Sequence, residues 1–201
     1  MIMSEAVETY PSLIPVINRF GIRLGLGNRS VSEICSLYNL DTDFLLTVVN
    51  TFLNEEYFPE KKLQSFHTSL IIDYLNKTNE YYLRNLLPNI ERHLKFFVLH
   101  SPEGNPTLQL IADYFGSFKS ELLARIESDK TQGGASIPAG EDSLEELLAD
   151  LKRLIITHLA GNYDDNLCYA VIFGIHSLEK DIKQNNRIRY RILHPCEEAG
   201  T

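Results

Sequence analysis

The chain has 201 residues, a mass of 23.0 kDa and a formal net charge of −8, with 44% apolar and 23% charged residues. That size makes one or two domains with a real core. No apolar run approaches the roughly 18 residues of a membrane helix, and a pI near 5.2 argues against general nucleic-acid binding. The start MIMSEAVETYP has neither the basic nor the apolar region of a secretion signal. Cys35, Cys168 and Cys196 form no CxxC pair, which sets aside zinc ribbons and thioredoxin chemistry and suits reduced thiols in a cytoplasm.

Strand signals are scarce and a 3.6-residue period dominates, so the expected fold is all-α. In chain order, PSLIPVINRF predicts a short helix that Pro11 can open. Gly21, Gly25 and Gly27 make the next stretch a turn. Ser30-Val31-Ser32-Glu33 has the spacing of a capping box and predicts a helix through Tyr38. Asp41 caps a third helix, from Asp43 to about Asn54. Ser30 to Val49 has the outline of a helix-turn-helix. Residues 1–60 hold three Arg, no Lys and eight acids, a net charge of −5 that repels phosphate, so the reading is a small three-helix domain over 1–58. Charge and proline in NEEYFPEKKLQ mark a linker, placed at 59–65.

From Phe66 onward four longer helical patterns follow, at about 67–100, 107–130, 141–159 and 165–193. Pro88 bends or breaks the first. Ser101–Pro106, the glycine-rich stretch Thr131–Gly140, and Gly161-Asn162 connect them. Short connections between long helices imply an up-down-up-down four-helix bundle over 66–201.

Polar residues interrupt the apolar stripes of these helices. In the second helix Leu108, Ile111, Phe115, Phe118 and Leu122 continue as Arg125 and Asp129. In the fourth, Val171, Ile175, Leu178 and Ile182 continue as Asn185 and Arg189. In an up-down topology Asn79, Arg125, Asp129, Glu141, Asn185 and Arg189 fall near one end. Bundle proteins build metal sites in such places, from His and carboxylate pairs. This set has two carboxylates, two amides and two guanidiniums but no histidine, and arginine has no lone pair for a metal. Arg125 and Arg189 paired with Asp129 and Glu141 would neutralise the group. Exposed or structural ion pairing, a ligand pocket and a metal site all remain open. His93, His100 and His158 are candidates for a second metal site. If any metal is held near the seam, His100, Asp129 and Glu141 are the ligands to consider. His194 reads as a surface residue, and Tyr81 and Tyr82 read as packing residues. No phosphate-binding loop, Rossmann turn, nucleophile elbow or Cys–His pairing is present.

The order of segments resembles the hemerythrin-like proteins of the iron–sulfur cluster repair di-iron type. The likeness rests on Ile17-Asn-Arg-Phe-Gly-Ile22, Ser30-Val-Ser-Glu-Ile-Cys35 and Leu40-Asp41 in the N-terminal part. In the bundle it rests on Leu70-Ile-Ile-Asp-Tyr-Leu75, Tyr82-Leu83, Leu87-Pro88, Leu178-Glu-Lys-Asp-Ile182 and Ile192-Leu-His-Pro195. The resemblance implies two irons held by histidines and carboxylates from four helices. Carried over, the first-helix histidine falls on Asn79, and the second-helix His and Glu fall on Arg125 and Asp129. The third-helix histidine falls near Glu141, and the fourth-helix His and Glu fall on Asn185 and Arg189. None of the histidines is present, and Leu24-Gly25 stand where these proteins often carry Cys-Cys. The resulting expectation is a cytoplasmic, non-catalytic hemerythrin-like protein without cofactor, binding or regulating a protein partner or pairing with itself. It has no membrane role, and nucleic acid is disfavoured as a partner. The alternative is an iron-binding relative serving nitric oxide or oxygen stress, or iron–sulfur cluster repair.

Overall fold

Ser30 and Glu33 satisfy each other's backbone at the start of a helix. Ser30 Oγ accepts from the Glu33 amide at 3.2 Å, and Glu33 Oε2 accepts from the Ser30 amide at 2.7 Å. The Ser30 amide, together with the Ser30 hydroxyl that also donates to Glu33 Oε2 at 2.7 Å, holds Glu33 below the usual carboxylate range, the backbone bond most of all. Asp41 does the same one-sidedly for the next helix, accepting from the Phe44 amide at 2.8 Å. Asn39, left-handed at φ 53°, ends the first helix and lets the second begin within three residues.

The computed structural model describes residues 1–101, 105–131 and 143–193. It is 79% helix and contains no strand among these residues, only an isolated antiparallel bridge between Ile2 and Ser30. The helices are α1 (Met3–Thr9), α2 (Leu13–Arg19), α3 (Val31–Tyr38), α4 (Thr42–Leu53), α5 (Glu60–Gln64), α6 (Thr68–Tyr81), α7 (Leu87–Leu99), α8 (Pro106–Thr131), α9 (Ser143–Arg153) and α10 (Asp165–Ile188). Among the described residues no helix is long and apolar enough to cross a membrane.

Three π-helical turns, Tyr82–Leu86, Leu154–His158 and Arg189–Leu193, extend α6, α9 and α10. The first has a visible cause. Pro88 has no N–H to give to the carbonyl of Arg84, so the α pattern fails there and the turn widens before α7 begins. The predicted break at Pro88 is thus a change of helical pitch within a continuing helix.

By density of contacts the chain divides into two compact units, Met1–Tyr81 with Arg187–Thr201, and Tyr82–Asn186. In the first, α2 packs on α4 and α6, α3 on α4, and α4 on α5. Its core includes Leu13, Val16, Ile17, Ile34, Leu45, Leu63 and Ile71, all nearly inaccessible. Phe20 stacks on Tyr74 at 5.5 Å, and Phe44 meets Phe66 edge-on at 5.2 Å. The guanidiniums of Arg187 and Arg191 both lie over the ring of Phe58, at 5.0 and 4.3 Å from its centre. Arg187 also donates to the Tyr57 carbonyl at 3.1 Å, and Arg191 pairs with Glu60 at 2.8 Å.

In the second unit α8 packs against α7 and α9. Gly174 of α10 lets the backbone come close to Ile90 of α7, because a Cβ there would sit 2.9 Å from Ile90 Cγ1. Lys152 of α9 and Lys183 both bond Glu179, a carboxylate only 5% exposed on α10. Gly161 takes φ 86° after α9, and Asn105 donates to the Ala160 carbonyl at 2.8 Å to hold that corner.

Candidate functional site

The apolar stripe of α8 buries its polar continuation as well. Arg125 is 9% exposed and Asp129 3%. Arg125 Nη1 donates to Asn186 Oδ1 at 3.0 Å, and Asn186 Nδ2 donates to Glu145 Oε1 at 2.8 Å. One buried amide therefore links α8, α10 and α9, accepting from a cation on one side and donating to a carboxylate on the other.

Asn185, 3% exposed, directs its Nδ2 at Tyr82 Oη (3.1 Å), the Asp181 carbonyl (2.7 Å) and Asp181 Oδ2 (3.2 Å). Its Oδ1 is buried and has no hydrogen-bond partner among the described residues. Tyr82 is 1% exposed, in keeping with the packing role expected of it.

The remaining sequence-derived positions fall as follows. Asn79 (6% exposed) and Arg189 (2%) are buried in the first unit, on α6 and on the last π turn. Glu141, His194, Cys196 and the connection at 132–140 lie outside the described residues. His100 and His158 are exposed and His93 is half-buried. His93 Nδ1 donates to the Asn89 carbonyl at 2.8 Å, and His100 Nδ1 donates to the Phe96 carbonyl at 2.9 Å. Both rings are therefore turned back on their own helix. Among the described residues, no three His, Cys, Asp or Glu side chains come together as they would around a metal ion.

The chemistry of the donor set can be tested against a pair of irons. Arg125 and Arg189 present only N–H groups, and Asn79 and Asn185 are weak amide ligands. Among the described residues of this set Asp129 is the one carboxylate, and Asn185 Oδ1 is a buried acceptor without a hydrogen-bond partner. With no imidazole among them, these residues do not fit a di-iron centre.

A second carboxylate stands out by its environment. Burial pushes Glu179 up, but the hydrogen bonds from Lys152 and Lys183 and their charges outweigh it and hold the group below its ordinary range. It clamps α9 to α10 and carries no reacting geometry. Cys168 is buried, and that burial, with Asp165 nearby, raises its thiol, which makes it a poor nucleophile.

One feature escapes the sequence reading. In the first unit a groove of about 800 Å³ runs along α1, α4 and the link after α4. Leu13, Leu46, Val49 and Leu53 form its apolar lining. The α1 segment MSEAVET has no long stripe to announce it as a helix, so the wall it provides is not visible in the pattern. The α4 helix holds no basic residue, which leaves the helix-turn-helix outline without phosphate contacts on its second helix.

Comparisons of this chain with protein-family models, curated proteins and solved structures find no match.

Proposed function

We propose that this chain is a metal-free, hemerythrin-like protein that works as a binding or regulatory module and not as an enzyme. In this reading α7 to α10 close as an up-down-up-down four-helix bundle whose former ligand positions now hold a polar network. The observation that carries it is the buried link Arg125–Asn186–Glu145 beside Asn185. A guanidinium fixed by a hydrogen bond supplies inside the protein the positive charge that a metal would otherwise bring. The contacts of α8 with α7 and α9, of Gly174 with Ile90, and of Lys152 with Glu179 support the bundle. The reduced-thiol reading of the cysteines, with Cys35 and Cys168 both free, supports a cytoplasmic setting, with a protein partner or a second copy as the object bound.

The test is elemental analysis of protein purified from iron-replete cells. Iron well below one atom per chain is the expected result. Near-stoichiometric iron, lost on Asp129→Ala, would hand the function to the iron-dependent alternative.

A further inference from the structure

We propose that the groove of the first unit is the docking site for a basic amphipathic helix of a protein partner. This stands on the groove alone and does not depend on the hemerythrin-like reading. Its floor is aliphatic, from Leu13, Leu46, Val49 and Leu53, and its rim carries Tyr10 and Tyr57. Those two rings are 50% and 47% exposed. Two exposed tyrosines beside an apolar floor are the residue types that anchor protein interfaces.

The openness of the rim decides between kinds of occupant. A small molecule binds where most of its surface is enclosed, and a groove whose aromatic walls stand half in water leaves it wet. A helix fills such a groove with one face and keeps its polar face in solvent. The floor residues Leu46, Val49 and Leu53 run along about two turns of α4, a length that meets apolar anchors spaced by three to four residues.

Charge chooses the sort of helix. Glu55 lines the groove and no basic side chain does. All the lining residues come from residues 1–60, a segment whose three Arg, no Lys and eight acids sum to −5. The net negative charge of the segment that builds this apolar floor attracts a partner with Lys or Arg beside its apolar stripe and repels anionic surfaces. The chain itself does not supply such a segment from the stretches outside the described residues. Residues 132–142 and 194–201 each hold two acids and no Lys or Arg.

The chain contains no Trp, so the fluorescence of one Trp placed in a probe peptide reports binding directly. The probe is a helical peptide of about 14 residues, Leu on one face and Lys on the other. It is titrated into the full chain beside a peptide with Glu in place of every Lys. The expected result is saturable micromolar binding of the Lys peptide alone, weakened roughly tenfold or more by Leu46→Lys and by Asn50→Arg. Asn50 is exposed on α4, so its substitution tests the groove even where Leu46→Lys disturbs folding, which circular dichroism checks. Phe173→Ser, which removes an exposed phenyl ring of the second unit, leaves the affinity unchanged. Equal affinity for the Glu peptide, equal loss on Phe173→Ser, or unchanged affinity in Asn50→Arg would overturn the proposal. So would self-association of the chain that Asn50→Arg abolishes, since the groove would then belong to a second copy.

Discussion

Arg125→Ala is the substitution that most directly probes the buried network. The side chain is 9% exposed and its Nη1 bonds Asn186 Oδ1 at 3.0 Å. A hydrogen bond to a charged group contributes about 1.5–3 kcal/mol, and leaving Asn186 Oδ1 buried without that donor adds about 1–3 kcal/mol. The aliphatic stem also packs, and its loss makes a void. Against these stands the relief of a desolvated cation, so the expected net loss is about 3–4 kcal/mol. For a chain of this size that corresponds to a midpoint roughly 6–16 °C lower. Arg153→Ala is the comparison. Its 3.0 Å pair with Asp150 has both side chains at least half exposed, and the expected change is about 0–1 kcal/mol. Thermal and urea unfolding followed by far-ultraviolet circular dichroism read both. A double-mutant cycle of Arg125→Ala with Asn186→Ala isolates the pair, with a coupling of about 1 kcal/mol or more expected. A loss for Arg125→Ala below about 1 kcal/mol, or independence of the two substitutions, would refute the reasoning.

Two further outcomes follow from the second unit. Glu179 is held below its ordinary value, so its contribution to stability is present above the unfolded-state pKa near 4.5 and is lost as pH falls through the lower folded value. Urea midpoints measured from about pH 6 down to about pH 3 should fall less steeply for Glu179→Gln than for the wild type, and parallel curves would contradict the ion-pair account. Gly174→Ala should destabilise by about 1 kcal/mol although Ala is the better helix former, because the new Cβ meets Ile90 Cγ1 at 2.9 Å. The same change made on an Ile90→Ala background should turn stabilising, and a stabilising effect in the wild type would mean that the helices part freely.

How much of this was legible in the sequence depends on what each feature leaves in the pattern. The cap at Ser30, the cap at Asp41 and the left-handed turn at Gly21, Gly25 and Gly27 were legible, because capping and positive φ select particular residue types. The alignment of Arg125, Asp129, Asn185 and Arg189 with the apolar stripes was legible, but the pattern left exposure and burial both open, and the structure buries all four. The hydrogen-bond partners were not. Asn186 stands one residue beyond the seam position, and Glu145 sits in the charged first turn of α9, where acids are expected for other reasons. Short helices were the other loss. The α5 helix fell within the stretch taken as linker, since five residues are too few for a period to show. Of the three π turns only the one before Pro88 has a residue that explains it. Leu154–His158 and Arg189–Leu193 lack a proline and were read as the plain ends of longer helices.

The packing of Arg187 and Arg191 on Phe58 has a bearing on how the chain is made. Residues 82–186 are contiguous and leave the ribosome as one block, whereas the packing around Phe58 needs side chains encoded more than a hundred positions later. The oldest part of the nascent polypeptide must therefore wait, with Phe58 uncovered, until translation has passed Arg191. Vectorial synthesis and completion of structure thus run in opposite order along this chain.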